Sequence, residues 1–324
     1  MQTLSDFDRQ FGTDEQCRAF LAKMRWPDGV RCPRCKASEK VYALAARPYH
    51  WVCKSGAETV DKQTGEVMRC HKRNGYRFSV TSKTIFEDTK IALNLWFKVG
   101  YLMLTSKKGI SALQIHRVIF GEKSTHDYHT SWFMCMRWRA AMAGDMYQPL
   151  SGIVEADETY VGGKDRNRHW SKKSVQRRAA AGELPMGDRI GYGKVGVIGA
   201  IQRKGNVVAR VIGSQDAPTL AGFVRQVVDK KVSLVVTDEH KDYNYIDRNL
   251  RHETVKHSAG EYVRGEVHTN SIESFWSLLK RGVVGTYHNV SAKYLPFYLN
   301  EFSFRFNNRN NAEMFADLIT TCSQ

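Results

Sequence analysis

The hydrophobic pattern changes period near residue 150, and that change constrains the fold more than any other feature. Upstream, apolar residues recur at helical spacing. Downstream they fall in short runs bounded by Gly, Asp or Ser, as strands do. GIVEADETYVGG, VGVIGAIQ, VVARVIG and SLVVTDEH are such runs, and APTLAGFVRQVVDK, between the third and fourth, reads as a helix. Three strands, a helix and a fourth strand predict an α/β domain. Helical patterns follow at about 270–281 and 291–308, which places this domain at 149–310, with 311–324 as a C-terminal tail.

The upstream half divides further. Residues 1–27 read as a helical lead-in, with Phe7, Phe11, Cys17, Phe20 and Leu21 at helical spacing. Residues 28–82 hold most of the cysteines and contain the strand-like run YRFSV. Residues 83–148 read as helical: IALNLWFKVGYLML, then SALQIHRVIF opened by Ser111 and Gln114 in capping-box spacing, then TSWFMCMRWRAAM after a break at Gly121. Helix, glycine-containing turn, helix is the outline of a helix-turn-helix, an outline that many helical bundles share.

The chain has 49 Lys+Arg against 33 Asp+Glu, a net charge of +16. Such an excess suits a phosphate-rich partner, because each neutralised phosphate releases condensed counterions. Residues 164–189 interrupt the strand order with eight Lys/Arg against three acidic residues. This reads as a solvated loop that orders on DNA, with Arg166, Arg168, Lys172, Lys173, Arg177 and Arg178 as the contacts. No apolar run approaches the roughly 20 residues that span a bilayer. The N-terminus lacks the pattern of a signal peptide. The expected setting is therefore cytoplasmic, with no membrane partner. There, cysteines serve as metal ligands or packed thiols rather than disulfides.

Cys32-Pro33-Arg34-Cys35 is a knuckle whose two thiolates can reach one tetrahedral ion. Cys53 and Cys70 supply the second pair for a structural Zn²⁺, with His71 as the alternative to Cys70. Sixteen residues separate Cys53 from Cys70, and a β-hairpin extension turning near Lys62–Gly65 brings them back together. Cys17, Cys135 and Cys322 lie in apolar helical contexts and read as packed thiols.

Three acidic positions fit two-metal phosphoryl transfer, which needs carboxylates holding Mg²⁺ or Mn²⁺ ions roughly 3.5–4 Å apart. Asp157 lies in the first strand, Asp238 ends the buried strand SLVVTDEH, and Glu273 falls at the helix start in HTNSIESFWSLLKR. Asn270 shares a face with Glu273 and is the alternative third ligand; the carboxylate is favoured because it offers charge. Lys280 follows on the same face and, with Arg281, suits a phosphate. Glu158 and Glu239 read as solvated or outlying neighbours of the chosen aspartates.

The blocks CPRC, FSVTSKTIFEDTKIALNLWF, TSKKGISALQI, EADETYVGGK, VVTDEHKDYNYI, HTNSIESFWSLLKRGVVGTYHNVS and EFSFRFNNR together resemble the ISXO-like insertion-sequence transposases. They stretch from about residue 30 to 310. That family joins a zinc ribbon to an RNase H-like DDE domain. The resemblance implies that Asp157, Asp238 and a third ligand in HTNSIE form the metal site. It also implies that the front end recognises terminal inverted repeats. Relatives are described with Asn or with Glu as third residue, so it leaves Asn270 and Glu273 both open. The chain departs from the common pattern in the insertion between Cys53 and Cys70. The expectation is a bacterial insertion-sequence transposase that cuts double-stranded DNA at element ends and transfers the 3′-hydroxyl to a target, working as a homo-oligomer at the nucleoid. A recruited zinc-ribbon regulator and an RNase H-like nuclease or resolvase are the alternatives. The intact carboxylates count against the first, and the ribbon-plus-helix front end against the second.

Overall fold

The computed structural model describes residues 3–60, 65–121, 123–143, 149–162, 194–239, 241–246, 250–255, 259–260 and 263–322. The chain divides into two compact units: Met1–Thr105 with Ala112–Gly144 and Asn311–Gln324, and Ser106–Ser111 with Asp145–Asn310.

In the first unit the lead-in forms two helices, α1 (Leu4–Phe11) and α2 (Asp14–Arg25). The sequence expectation ran them together. Two local signals separate them: α1 ends at Gly12, and Thr13 with Gln16 closes a reciprocal capping box that starts α2 afresh. Strands β1 (Val41–Ala43), β2 (His50–Cys53) and β5 (Tyr76–Ser79) form an antiparallel three-stranded sheet. Between β2 and β5, β3 (Glu58–Val60) pairs antiparallel with β4 (Val67–Arg69), which is the expected hairpin extension. Helices α3 (Leu93–Thr105), α4 (Ala112–Ile119) and α5 (Tyr128–Ala141) follow. The core of this unit is aromatic: Phe7, Phe11, Phe20, Phe97 and Tyr101 cluster with Phe315 of α9 (Met314–Thr321). Ring centroids 4.4–5.4 Å apart place these pairs in tilted or edge-to-face contact, each adding about 0.5–1.5 kcal/mol beyond area burial.

The second unit is built on one mixed sheet. β6 (Ile153–Val161), β7 (Val195–Gln202) and β8 (Val207–Ile212) form an antiparallel meander. Helix α6 (Ala217–Val227) then carries the chain across to β9 (Leu234–Asp238), which lies parallel beside β6. A fifth strand, β10 (His252–Val255), adds parallel to β9, giving the order β10-β9-β6-β7-β8. Both faces are covered, which is why the strands read as nearly continuous apolar runs. Leu220, Ala221 and Val224 of α6 pack on Val154, Ala156, Ile198 and Val235. Helices α7 (Asn270–Gly282) and α8 (Leu295–Asn307) lay Phe275, Trp276, Leu279 and Phe302 on Val197, Ile201 and Val207 of the opposite face. Among the described residues no helix is long and apolar enough to cross a membrane.

Candidate active site and thiol cluster

In the ribbon, the Sγ atoms of Cys32, Cys35, Cys53 and Cys70 all lie within 4.8 Å of one another. Cys32 and Cys70 are 3.8 Å apart, and Cys35 and Cys53 are 3.6 Å apart. Four sulfurs about 2.3 Å from one tetrahedral ion stand about 3.8 Å from each other, so the set fits zinc. Backbone turns make the approach: Lys36 N–H donates to the Cys32 carbonyl, and Gly56 N–H donates to the Cys70 carbonyl at 2.7 Å. His71 is exposed and stands outside the cluster. Burial pushes the Cys32 thiol up to about 11. Burial acts the same way on Cys35, but hydrogen bonds involving Ser55, the Ala37 backbone and the neighbouring thiols bring it down to about 7. Trp26, Trp51 and Phe78 pack around the cluster and keep water from it. Cys17, Cys135 and Cys322 are buried elsewhere, outside the cluster.

The acidic residues gather at one edge of the mixed sheet. β6 and β9 run parallel with Glu155 opposite Val236, and this register carried two residues on sets Asp157 beside Asp238, where β9 ends. The carboxyl ends of adjacent parallel strands are where α/β sheets open to ligands. Asp157 shares its strand face with Glu155 and points toward α7, whose Trp276 Nε1 donates to Asp157 Oδ2 at 3.0 Å. A glycine makes this possible. Gly199, paired with Asp157 across β7, would bring a Cβ within 2.6 Å of the Trp276 ring.

Glu273 lies exposed in the first turn of α7, its Oε1 accepting from Thr269 Oγ1 at 2.8 Å. Burial pushes the Asp157 carboxyl up to about 6, and the charges of Asp238 and, less strongly, Glu273 add to the rise. Asp157 therefore feels both neighbouring carboxylates. An acid raised by carboxylates beside it marks a donor set short of positive charge, which a divalent cation supplies. Asn270 is the exposed first residue of α7, and Lys280 and Arg281 are exposed in its last turn. Arg166, Arg168, Lys172, Lys173, Arg177 and Arg178 lie outside the described residues.

Glu158 corrects one expectation. It is half-buried rather than solvated: its side chain faces the opposite side of β6, the side of the fully buried Tyr243. Burial, with Asp238 and Asp157 adding, pushes Glu158 up to about 8. Sequence reasoning also missed Trp276 and Gly199. The glycines inside VGVIGAIQ were the available signal, since a glycine within a strand often marks a close approach.

A mixed sheet in this order, with carboxylates at its edge and a four-thiol ribbon in the same chain, is consistent with a DDE domain of RNase H-like fold. Residues 149–307 match the ISXO2-like transposase domain, and residues 12–56 match the transposase zinc-ribbon domain. The chain belongs to this family of ISXO2-like transposases with a zinc-ribbon domain, and DNA is the partner that membership implies. It is 27% identical over 312 residues, 92% of each chain, to an uncharacterized protein in transposable element ISH50 of Halobacterium salinarum. No solved structure matches.

Proposed function

We propose that this protein is the transposase of a bacterial insertion sequence, cutting DNA strands at the element's terminal inverted repeats and joining the freed 3′-hydroxyl to target DNA. One observation carries the reading: Asp157, in the middle of β6 just beyond its pairing with β9, stands beside Asp238 at the end of β9, with Glu273 close enough for its charge to reach Asp157. Asp157, Asp238 and Glu273 would hold two Mg²⁺ or Mn²⁺ ions. Bound there, the metals would activate the attacking hydroxyl and take up charge at the leaving oxygen. Trp276 keeps Asp157 turned toward the shared edge, and Lys280 and Arg281 would steady the flanking phosphates. Cys32, Cys35, Cys53 and Cys70 would hold a structural Zn²⁺.

The ribbon and the α4–α5 pair would read the element ends. Within α5 only the first turn offers consecutive exposed residues, Tyr128 and His129, where a recognition helix makes its base contacts. The basic segment 164–189 would follow the DNA backbone. Two ends must be held at once, so the enzyme would act as a homo-oligomer at the nucleoid.

The test is incubation of the purified protein with double-stranded DNA carrying the parent element's ends, in Mg²⁺ or Mn²⁺, with the cut strands mapped. End-specific nicking that Asp238→Ala abolishes is the expected result. Of Glu273→Gln and Asn270→Ala, the first is expected to be silent and the second active. Tight end binding without cleavage points to a recruited regulator. Cleavage of branched DNA without preference for the ends points to a resolvase.

A further inference from the structure

Helix α7 carries Glu273, Asn270 and Lys280, so whatever fixes its first turn sets how these groups stand toward Asp157. Its own N-cap residue does not: Thr269 makes no side-chain bond to the helix backbone. A carboxylate from another element takes that place. Glu155 Oε2 accepts from the backbone N–H of Ser271 at 2.7 Å and of Ile272 at 3.1 Å. Its Oε1 accepts from Ser271 Oγ at 3.0 Å and from Arg203 Nε at 2.7 Å, with His268 Nδ1 3.4 Å away. Arg203 reaches in from the β7–β8 turn and donates to the His268 carbonyl at 3.0 Å. Its backbone N–H donates to the Ile153 carbonyl. The network thus ties together strand β6, the β7–β8 turn and the approach to α7.

Glu155 is fully buried, with 0% of its side chain exposed. An ionised carboxylate in such a place is costly unless it is paired and hydrogen-bonded on every side, and an apolar contact would hold a helix at less cost. What the carboxylate provides is direction. Two bonds to consecutive helix N–H groups, at 2.7 and 3.1 Å, fix both the distance and the rotation of the first turn. Glu155 also lies two residues before Asp157 on the same strand face, so the strand itself carries the setting to the reacting edge.

We propose that Glu155, held by Arg203, is a positioning residue for the catalytic centre. It locks the first turn of α7 to β6 so that Glu273 faces the same ion as Asp157 and Asp238. This rests on the carboxylate reading above. Glu155 itself spends its oxygens on α7 and Arg203 and does not touch the reacting atoms.

The test measures Mn²⁺ binding by electron paramagnetic resonance, together with thermal unfolding. It uses the full chain with its zinc retained, as wild type, Asp157→Ala, Glu155→Gln and the paired Glu155→Gln/Arg203→Met. The paired change removes both buried charges, so it separates lost direction from an unpaired arginine. Asp157→Ala is expected to lose the Mn²⁺ site; wild-type binding by that variant sinks the carboxylate reading itself. With that control satisfied, the paired variant is expected to melt within a few degrees of wild type and to bind Mn²⁺ at least about ten-fold more weakly. Wild-type Mn²⁺ affinity in a folded paired variant overturns the proposal. If the paired variant does not fold, Arg203→Lys is read by the same rule. It keeps the charge but loses the fork spanning Glu155 and the His268 carbonyl, and weakened binding supports the proposal while unchanged binding overturns it.

Discussion

The ribbon and the sheet edge each gather metal-ligating side chains, and they do so by opposite means. In the ribbon, hairpins and tight turns bring four thiols to within 4.8 Å of one another. Protonated thiols are neutral, so they can crowd before any metal arrives. At the sheet edge the proposed ligands are carboxylates that repel, and a stiff scaffold of two parallel strands and one helix holds them in range. Asp157 registers the conflict by rising to about 6, chiefly through burial and then through Asp238. The closed set suits a structural ion that contributes to folding. The strained, open set suits ions shared with substrate phosphate.

If that contrast is right, the two sites respond differently to loss of a ligand. The largest effect is expected in the ribbon. Cys70→Ser should abolish zinc retention and unfold β1–β5, since structural zinc contributes roughly 10–16 kcal/mol in small zinc domains. His71→Ala should leave zinc content unchanged, because His71 lies outside the cluster. Metal analysis and circular dichroism read both, and loss of zinc from the His71 variant would break the assignment of Cys70.

At the sheet edge, removal of a ligand should cost activity rather than fold. Asp238→Ala is expected to slow strand cleavage by about a thousand-fold or more, the loss of several kcal/mol of charge stabilisation. Its melting temperature should hold or rise, as measured by calorimetry beside the cleavage assay.

A carboxyl raised from 3.8 to about 6 in the folded state contributes stability below about pH 4 and loses it as pH climbs through about 6. Metal-free Asp157→Asn should therefore be more stable than wild type at pH 8, by on the order of 3 kcal/mol, and equal to it near pH 4. Denaturant melts at the two pH values measure this, and an advantage for the variant at pH 4 as well would point to packing instead.

The smallest effect is expected at Gly199→Ala, whose Cβ would meet the Trp276 ring at 2.6 Å. Overpacking of this kind costs about 1–3 kcal/mol. Displacing the indole would also break its bond to Asp157, so the variant should lose cleavage at limiting Mn²⁺ before it loses stability.

Much of this arrangement was legible because its signals are local. Strand ends marked by Asp238 and by the glycines after Asp157, and a hairpin demanded by the gap between Cys53 and Cys70, depend on neighbours in the chain. Glu155 was not legible. It sits two residues from Asp157 in the same motif, yet its partners Ser271 and Ile272 lie 116 and 117 residues downstream. Nothing in EADET distinguishes a buried cap from a solvated acid. β10 escaped for a related reason: HETV is short and polar, and it becomes a strand only because β9 offers an edge. The split at Gly12 was readable from the Thr13 and Gln16 spacing, and the run of apolar residues across it hid the break. Helix α9 packs through Phe315 on α1 and α3; Met314, Leu318, Ile319 and Cys322 are buried at helical spacing, a short signal in a segment read as a tail.

Anomalous diffraction from crystals soaked in Mn²⁺ tests whether one chain holds two metal sites of different kind. Data at the zinc edge should show a peak among Cys32, Cys35, Cys53 and Cys70 before any metal is added. Manganese should appear only among Asp157, Asp238 and Glu273. A manganese ion held by Asn270 in place of Glu273 would correct the third ligand. Crystals with no manganese at Asp157 and Asp238, under conditions where the enzyme cleaves DNA, would rule out the carboxylate metal site.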